Sequence, residues 1–272
     1  ANGGGRRIFD VGAGETWQGF VRFCVGQGLG CGIENLTLIP GTVGAAPIQN
    51  IGAYGVEVAQ FILAVQVIDM QSPSAKPIWL SAKDCAFAYR DSRFKQQPGR
   101  WLITRVRFAL HPHETGSENL QYKGVAEALE QQGCTRLNPA AISEAVAKLR
   151  RSKLPDPRTH PNAGSFFKNP VCTNAELKAM PAETARKLES IPSWPHENGR
   201  KFAAAALIDR AGFKRSRPRK GVGVWYRQPL VLVNYGGADA SAVGRFAEEI
   251  RRAVSEQFAL SLEQEPVRVA PA

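Results

Sequence analysis

The chain has 272 residues, enough for one large domain or two ordinary ones, each able to bury a hydrophobic core. Hydrophobic residues make up 43% and charged residues 22%, a globular balance that excludes a disordered chain, and no apolar run approaches the roughly 18 residues that would span a bilayer. The net charge of +11 asks for an anionic partner, either a nucleic acid or a multiply anionic small ligand.

The opening ANGGGRRIFDVGAGE has no apolar centre of the kind a signal peptide needs and does not start with Met. A cytoplasmic location and further residues ahead of Ala1 are therefore expected. RRIFDVGAG reads as a strand. Trp17, Phe20, Val21, Cys24 and Val25 recur at helical spacing, and Gly28 offers the cap. AVQVIDM, KPIWLSA and RWLITRVRFAL read as further strands. In the last, Leu102, Thr104, Val106, Phe108 and Leu110 share one face while Arg105 and Arg107 take the other.

Helices dominate the remainder. NPAAISEAVAKLRRSKLPDP takes Asn138 as N-cap and Pro139 as its first helical residue, carries Ile142, Ala145, Val146 and Leu149 in one stripe, and stops at Pro155. GRKFAAAALIDRAG is predicted to be a helix closed by Gly212, and PLVLVNYG (229–236) a buried strand. A final helix shows Val243, Phe246, Ile250, Val254 and Phe258 on one stripe. Strands first and helices later predict an α+β protein of two lobes, residues 1–140 and 141–272, with the seam near 115–140.

Five cysteines, an odd number with no CxxC pair, fit reduced thiols, and the scattered histidines lack ligand spacing, so no metal is expected. The basic run FKRSRPRKG (213–221) reads as a solvated face, because it has no interleaved aromatic side chains for bases to stack on.

Chemistry concentrates in a few stretches. In ENLTLIPGTVGAAPIQNIGAYG (34–55), glycines and small residues let main-chain N–H groups approach a ligand closely. No Gly-Lys-Ser/Thr follows, so it is not a Walker A loop, and it does not fit the dinucleotide fingerprint. In PNAGSFFKNP (161–170), Ser165 is either solvated, bonded to backbone, or waiting for a ligand, since an unpartnered buried hydroxyl costs about 1 to 3 kcal/mol. It is not a hydrolase elbow: Phe167 stands where G-x-S-x-G needs glycine.

LIPGTVGAAPIQNIGAYG, FAYRDSRFK, RRSKLPDP, NAGSFFKNP, AALIDRAG and LEQEPVR stand in the order and character of the UDP-N-acetylenolpyruvoylglucosamine reductase family, and the chain resembles that family from about Val11 to Val269. The resemblance implies a partial FAD-binding lobe of the vanillyl-alcohol-oxidase type and an α/β substrate-binding lobe whose C-terminal strand returns to the active site. It also implies NADPH as reductant and a UDP-sugar as substrate. Gly41, Thr42, Val43, Gly44, Ala45, Gln49, Asn50, Gly52, Ala53, Tyr54 and Gly55 would lie along the FAD.

By the same resemblance Arg90 faces the substrate carboxylate, where a planar guanidinium can grip two oxygens and stabilise an enolate. The plain alternative is a surface arginine paired with Asp91. Ser165 would deliver a proton to the carbanion-like carbon. A C-terminal carboxyl completes the set: counting from Leu262 selects Glu265, counting back from Val267-Arg268 lands on Pro266, and Glu263 is the fallback. Lys153 and Asn169 match positions that hold the nucleotide part of the substrate, and Tyr122 matches a tyrosine of the loop that closes over it. The family's G-x-G-S-N loop, expected ahead of VGAGE, is not in this sequence, so these 272 residues are expected to bind flavin poorly. A monomer with no nucleic-acid partner and no membrane insertion is expected. The alternatives are a flavin oxidase of the same fold and a basic nucleic-acid-binding module.

Overall fold

The computed structural model describes residues 5–30, 32–112, 123–134, 137–214 and 216–269. The chain divides into two compact units, Ala1–Ser152 and Lys153–Ala272.

In the first unit, β1 (Arg7–Gly12) leads through Thr16 into α1 (Trp17–Gly26). The Thr16 side chain accepts from Gly19 N, which supplies one of the partners a helix start lacks. A short hairpin follows, β2 (Gly52–Ala53) with β3 (Val56–Glu57), then β4 (Ile62–Asp69), β5 (Ile78–Ser81), α2 (Arg93–Gln96) and β6 (Trp101–Leu110). β1, β6, β4 and β5 form one antiparallel sheet in that order. Trp17, Phe20, Val21 and Cys24 of α1 join Val65, Val67, Val106 and Phe108 of the sheet in one core, as the helical spacing predicts.

The predicted alternation of β6 fails at its start. Leu102 is 50% exposed, whereas Trp101 and Ile103 pack against the core. The pairing with β4 jumps from Gln66–Arg105 to Val67–Ile103. A bulge there opposes two residues to one, so every side chain before it changes face.

α3 (Lys123–Gln131) and α4 (Pro139–Lys153) complete this unit. Asn138 Oδ1 accepts from Ala141 N at 2.9 Å, the predicted cap. Ile142, Ala145 and Val146 pack with Val125, Ala128 and Leu129 of α3, and Tyr54 and Leu149 lean on the same cluster. That packing ties α4 to the first unit, so the division falls at Ser152, past the residue 140 expected from the sequence.

The second unit carries more strands than the sequence revealed. β7 (Asn162–Ser165), β11 (Val222–Trp225) and β12 (Gln228–Asn234) make one antiparallel sheet in the order β11-β12-β7. β8 (Val171–Thr173), β9 (Ser193–His196) and β10 (Gly199–Phe202) make another, with β10 central. α5 (Asn174–Ala179), α6 (Ala182–Glu189), α7 (Ala204–Arg210) and α8 (Ala240–Phe258) surround them. Phe246, Ile250, Val254 and Phe258 of α8 pack with Leu207 and Ile208 of α7 and with Val222 and Leu232 of the first sheet.

Here the helix predicted over GRKFAAAALIDRAG is corrected, since its first four residues are β10. A Cβ on Gly199 would fall 2.0 Å from Cys172 O. Glycine thus admits the close strand pairing that wins over local helix preference. Gly212, at φ 90, follows the shortened helix as expected.

Candidate active site

Two stretches distant in sequence meet in the first unit. The glycine-rich segment is fixed from behind: Trp17 N donates to Gly41 O at 3.0 Å, Val43 N to Glu15 O at 2.8 Å and Gly44 N to Ala13 O at 2.9 Å. A Cβ on Gly44 would lie 2.6 Å from Ala13 Cβ, so only glycine allows this approach. Gly41, Ala45 and Gly55 remain exposed, Thr42, Gln49, Gly52, Ala53 and Tyr54 are partly so, and Val43 is buried.

Asn50 is 1% exposed and holds a left-handed backbone at φ 45. Its Nδ2 donates to Glu57 Oε2 at 2.7 Å and to Ala88 O at 3.0 Å, while its Oδ1 accepts from Ala59 N at 3.0 Å. These bonds repay the unusual conformation and commit the side chain to the protein interior. If Asn50 serves the FAD, as the sequence reading expects, it does so by shaping the loop.

The second stretch is 88–97. Ser92 caps α2, and its hydroxyl donates to Ile48 O, pinning this stretch to the glycine-rich segment. Arg90 stands at φ 54 with its side chain only 16% exposed. Its Nη2 donates to Gly52 O at 2.5 Å and its Nη1 to Asn50 O at 3.5 Å, and the guanidinium forms an ion pair with Glu57 Oε1 at 3.6 Å. Lys95 Nζ donates to Arg90 O at 3.1 Å. Asp91, the partner offered by sequence adjacency, instead accepts from Ser92 N and Gln96 Nε2. Arg90 is therefore not a surface arginine paired with its neighbour; it is held by the hairpin.

Two residues of this region escaped the sequence reading. Glu57 left no periodic signal. Arg150 did leave one, lying four residues past Val146 on the apolar side of α4. Burial pushes Arg150 below the usual guanidinium range, and its hydrogen bond to Tyr54 opposes that shift. Its Nε is buried with no hydrogen-bond partner among the described residues. A guanidinium with a buried, unpartnered donor, bonded to Tyr54 of the glycine-rich segment, suits a ligand rich in carbonyl and phosphate oxygens. FAD is such a ligand, so the residues present fit it.

In the second unit, the loop before Ser165 is braced by its own side chains. Asp156 accepts from the Arg158 backbone and guanidinium, contacts that hold its carboxyl down at about 2. Asn162 Nδ2 donates to His160 O, and its Oδ1 accepts from Gly164 N, with Gly164 at φ 74. Ser165 then pairs with Val231 at the end of β7. It is exposed, and no hydrogen bond ties its hydroxyl to the described residues. Phe166 and Phe167, packed edge to face at 5.1 Å, are buried beneath and fix its position.

The C-terminal segment runs antiparallel to the residues that follow this strand, with an isolated bridge between Phe167 and Gln264. Lys168 N donates to Glu263 O and Glu265 N to Phe166 O, both at 2.9 Å. Glu263 is engaged by Lys168, whose Nζ lies 2.7 Å from Oε1. Glu265, partly buried, lies opposite Phe166, two positions nearer Ser165 along the pairing than Glu263.

Asn169 Oδ1 accepts from Ala204 N at 2.9 Å and so caps α7, whose own N-cap, Ala203, has no capping side chain. Lys153 is the half-buried last residue of α4. Tyr122 lies outside the described residues. The basic run is partly neutralised, with Lys214 bound to Asp209 at 3.2 Å and Arg219 to Glu249 at 2.8 Å. Among the described residues no group of three or more His, Cys, Asp or Glu could hold a metal ion.

Residues 4–72 match the family described as FAD binding domain. The chain also aligns with the crystal structure of UDP-N-acetylenolpyruvylglucosamine reductase from Thermus caldophilus over 94% of its own length and 71% of that protein's, with a TM-score of 0.59. At 23% identity this likeness speaks for the fold alone. The FAD binding domain match, which spans the glycine-rich segment, marks the chain as a flavoprotein.

Residues 156–269 match the C-terminal domain of UDP-N-acetylenolpyruvoylglucosamine reductase. The reductase of Pseudomonas putida is 44% identical over 264 residues, covering 97% of this chain and 75% of the relative. That of Azoarcus sp. is 47% identical over 263 residues, covering 96% and 73%. The chain belongs to the UDP-N-acetylenolpyruvoylglucosamine reductase family.

Proposed function

We propose that the protein reduces the enolpyruvyl ether of UDP-N-acetylglucosamine enolpyruvate to UDP-N-acetylmuramate in peptidoglycan synthesis, as a cytoplasmic monomer using NADPH and FAD. The observation that carries this reading is identity of 44% to the Pseudomonas putida reductase across 97% of the chain. Among the described residues no helix is long and apolar enough to cross a membrane.

FAD, when bound, supplies the hydride that NADPH delivers to it. Gly41 to Ala45, Gln49, Asn50 and Gly52 to Gly55 hold it through backbone contacts and loop shape. Hydride addition to the terminal carbon of the enol ether leaves negative charge on the carbon beside the carboxylate and on the carboxylate oxygens. Arg90 binds that carboxylate and stabilises the enolate as it forms, and being fixed to Gly52 O and Glu57 it needs no reorganisation at that moment.

Ser165 gives its hydroxyl proton to the carbon that bears the charge. A weakly acidic alcohol suffices because a carbanion is far more basic than a carboxylate. Glu265 hydrogen-bonds the substrate carboxylate or relays a proton to Ser165; its backbone N–H donates to the carbonyl of Phe166, the residue next to Ser165. Glu263, tied to Lys168, braces the segment instead. Lys153 and Asn169 hold the diphosphate and nucleotide, Asn169 through the amide end that Ala204 does not engage, and Tyr122 is a further substrate-binding residue.

The test follows NADPH consumption with the enolpyruvyl UDP-sugar under anaerobic conditions. Stoichiometric formation of the lactyl ether is expected. Oxidation of NADPH only in the presence of oxygen would instead indicate an oxidase, and salt-sensitive duplex DNA binding by a protein without flavin would indicate a nucleic-acid module.

A further inference from the structure

Glu57 touches both halves of the arrangement around Arg90. Its Oε1 lies 3.6 Å from Arg90 Nη1, and its Oε2 accepts from Asn50 Nδ2 at 2.7 Å. Asn50 in turn donates to Ala88 O, two residues before Arg90, and offers its own carbonyl to Arg90 Nη1. Glu57 also sits opposite Gly52 in the β2–β3 hairpin, and Gly52 O takes the Nη2 hydrogen bond. One carboxylate thus fixes the guanidinium, the loop that carries it and the hairpin on which it rests.

We propose that Glu57 is a positioning residue for the reduction, acting through Arg90 by setting the orientation of its guanidinium toward the substrate carboxylate. Three facts carry this. Arg90 has a left-handed backbone at φ 54, a conformation that a non-glycine residue keeps only where its surroundings over-determine it. Its in-sequence acidic neighbour Asp91 is engaged elsewhere, whereas Glu57 faces the guanidinium across 3.6 Å. The side chain of Glu57 is partly exposed, at 34%, so its ion pair alone contributes little to stability. Its contribution is geometric: a planar guanidinium held on one side presents a defined edge on the other.

The inference rests on the proposed reduction, and the experiment separates the two. Flavin reduction by NADPH and flavin reoxidation by the enolpyruvyl UDP-sugar are measured by rapid mixing for the FAD-bound protein, for Glu57→Gln, for Arg90→Ala and for the double variant. Glutamine keeps the acceptor for Asn50 but removes the charge facing Arg90. Reoxidation should slow on the order of tenfold to a hundredfold in Glu57→Gln. Reduction should stay within about twofold, and the change added by Glu57→Gln in the Arg90→Ala background should also stay within about twofold.

A second readout is independent of turnover: the Arg90 Nε–Hε NMR signal of the FAD-bound protein without substrate should broaden or shift in Glu57→Gln. Equal loss in both half-reactions, the same loss with and without Arg90, or an unchanged Arg90 signal would overturn the proposal. Should Glu57→Gln fail to fold, Glu57→Asp, which retains charge but is one methylene shorter, takes its place. A reoxidation rate within about twofold of the unsubstituted protein would then overturn it. If the unsubstituted protein is reduced by NADPH yet never reoxidised by the enol ether, the proposed function fails, and the NMR signal alone judges Glu57.

Discussion

Gly52→Ala offers a sharp perturbation of Arg90 because it leaves the arginine itself untouched. A Cβ at residue 52 would stand 2.7 Å from Arg90 Nη1, 2.9 Å from Val56 O and 3.0 Å from Glu57 Cγ. The Val56 carbonyl belongs to the hairpin and cannot retreat without breaking the pairing of Ala53 with Val56. Arg90 is the softer neighbour. Moving Nη1 out to the 3.4 Å of ordinary contact displaces the guanidinium by about 0.7 Å and pulls it off Gly52 O.

A misplacement near 1 Å costs up to about a hundredfold in rate when orientation is what the site provides, so reoxidation by the enol ether should fall on the order of tenfold or more. Crowding should also cost about 1 to 3 kcal/mol of stability. The assay is rapid-mixing reoxidation of the reduced FAD-bound protein, with a denaturant titration beside it. Gly26→Ala is the control, since a Cβ there meets nothing within 4 Å. If Gly52→Ala is reoxidised at the rate of the control, the geometry of Arg90 does not govern the reaction and the reasoning fails.

Ser165→Ala should leave flavin reduction by NADPH intact while reoxidation by substrate collapses; rapid mixing reads both, and equal loss in the two half-reactions would remove the proton-donor role. Glu265→Gln should depress reoxidation far more than Glu263→Gln, whose effect is expected on unfolding through its Lys168 contact; the reverse ranking would reassign the carboxyl. Burial pushes the Cys24 and Cys85 thiols up to about 12 from an ordinary 9.0. Mass mapping after alkylation at mildly alkaline pH should find both unmodified in the native protein. Their unfolded thiols ionise first, so these groups subtract stability as pH climbs from 9.0 toward about 12.

The sequence alone settled the long elements, because a stripe such as Phe246, Ile250, Val254 and Phe258 on α8 repeats often enough to outweigh local noise. Blocks such as NAGSFFKNP pointed to the family, whereas the strand end that carries Ser165 and the burial of the two phenylalanines after it were decided by the fold. Tertiary packing decided the rest. Strands of three or four residues, β8 to β10 among them, carry too few periods to be read, and the β6 bulge exists only because β4 lies beside it. The division at Ser152 follows from α3 and Tyr54 covering the stripe of α4. Above all, Arg90 could be found by pattern, but its hold on Gly52, Asn50 and Glu57 could not. Those residues lie more than thirty positions away, and only the folding of the hairpin onto the 88–97 stretch brings their oxygens within reach of the guanidinium.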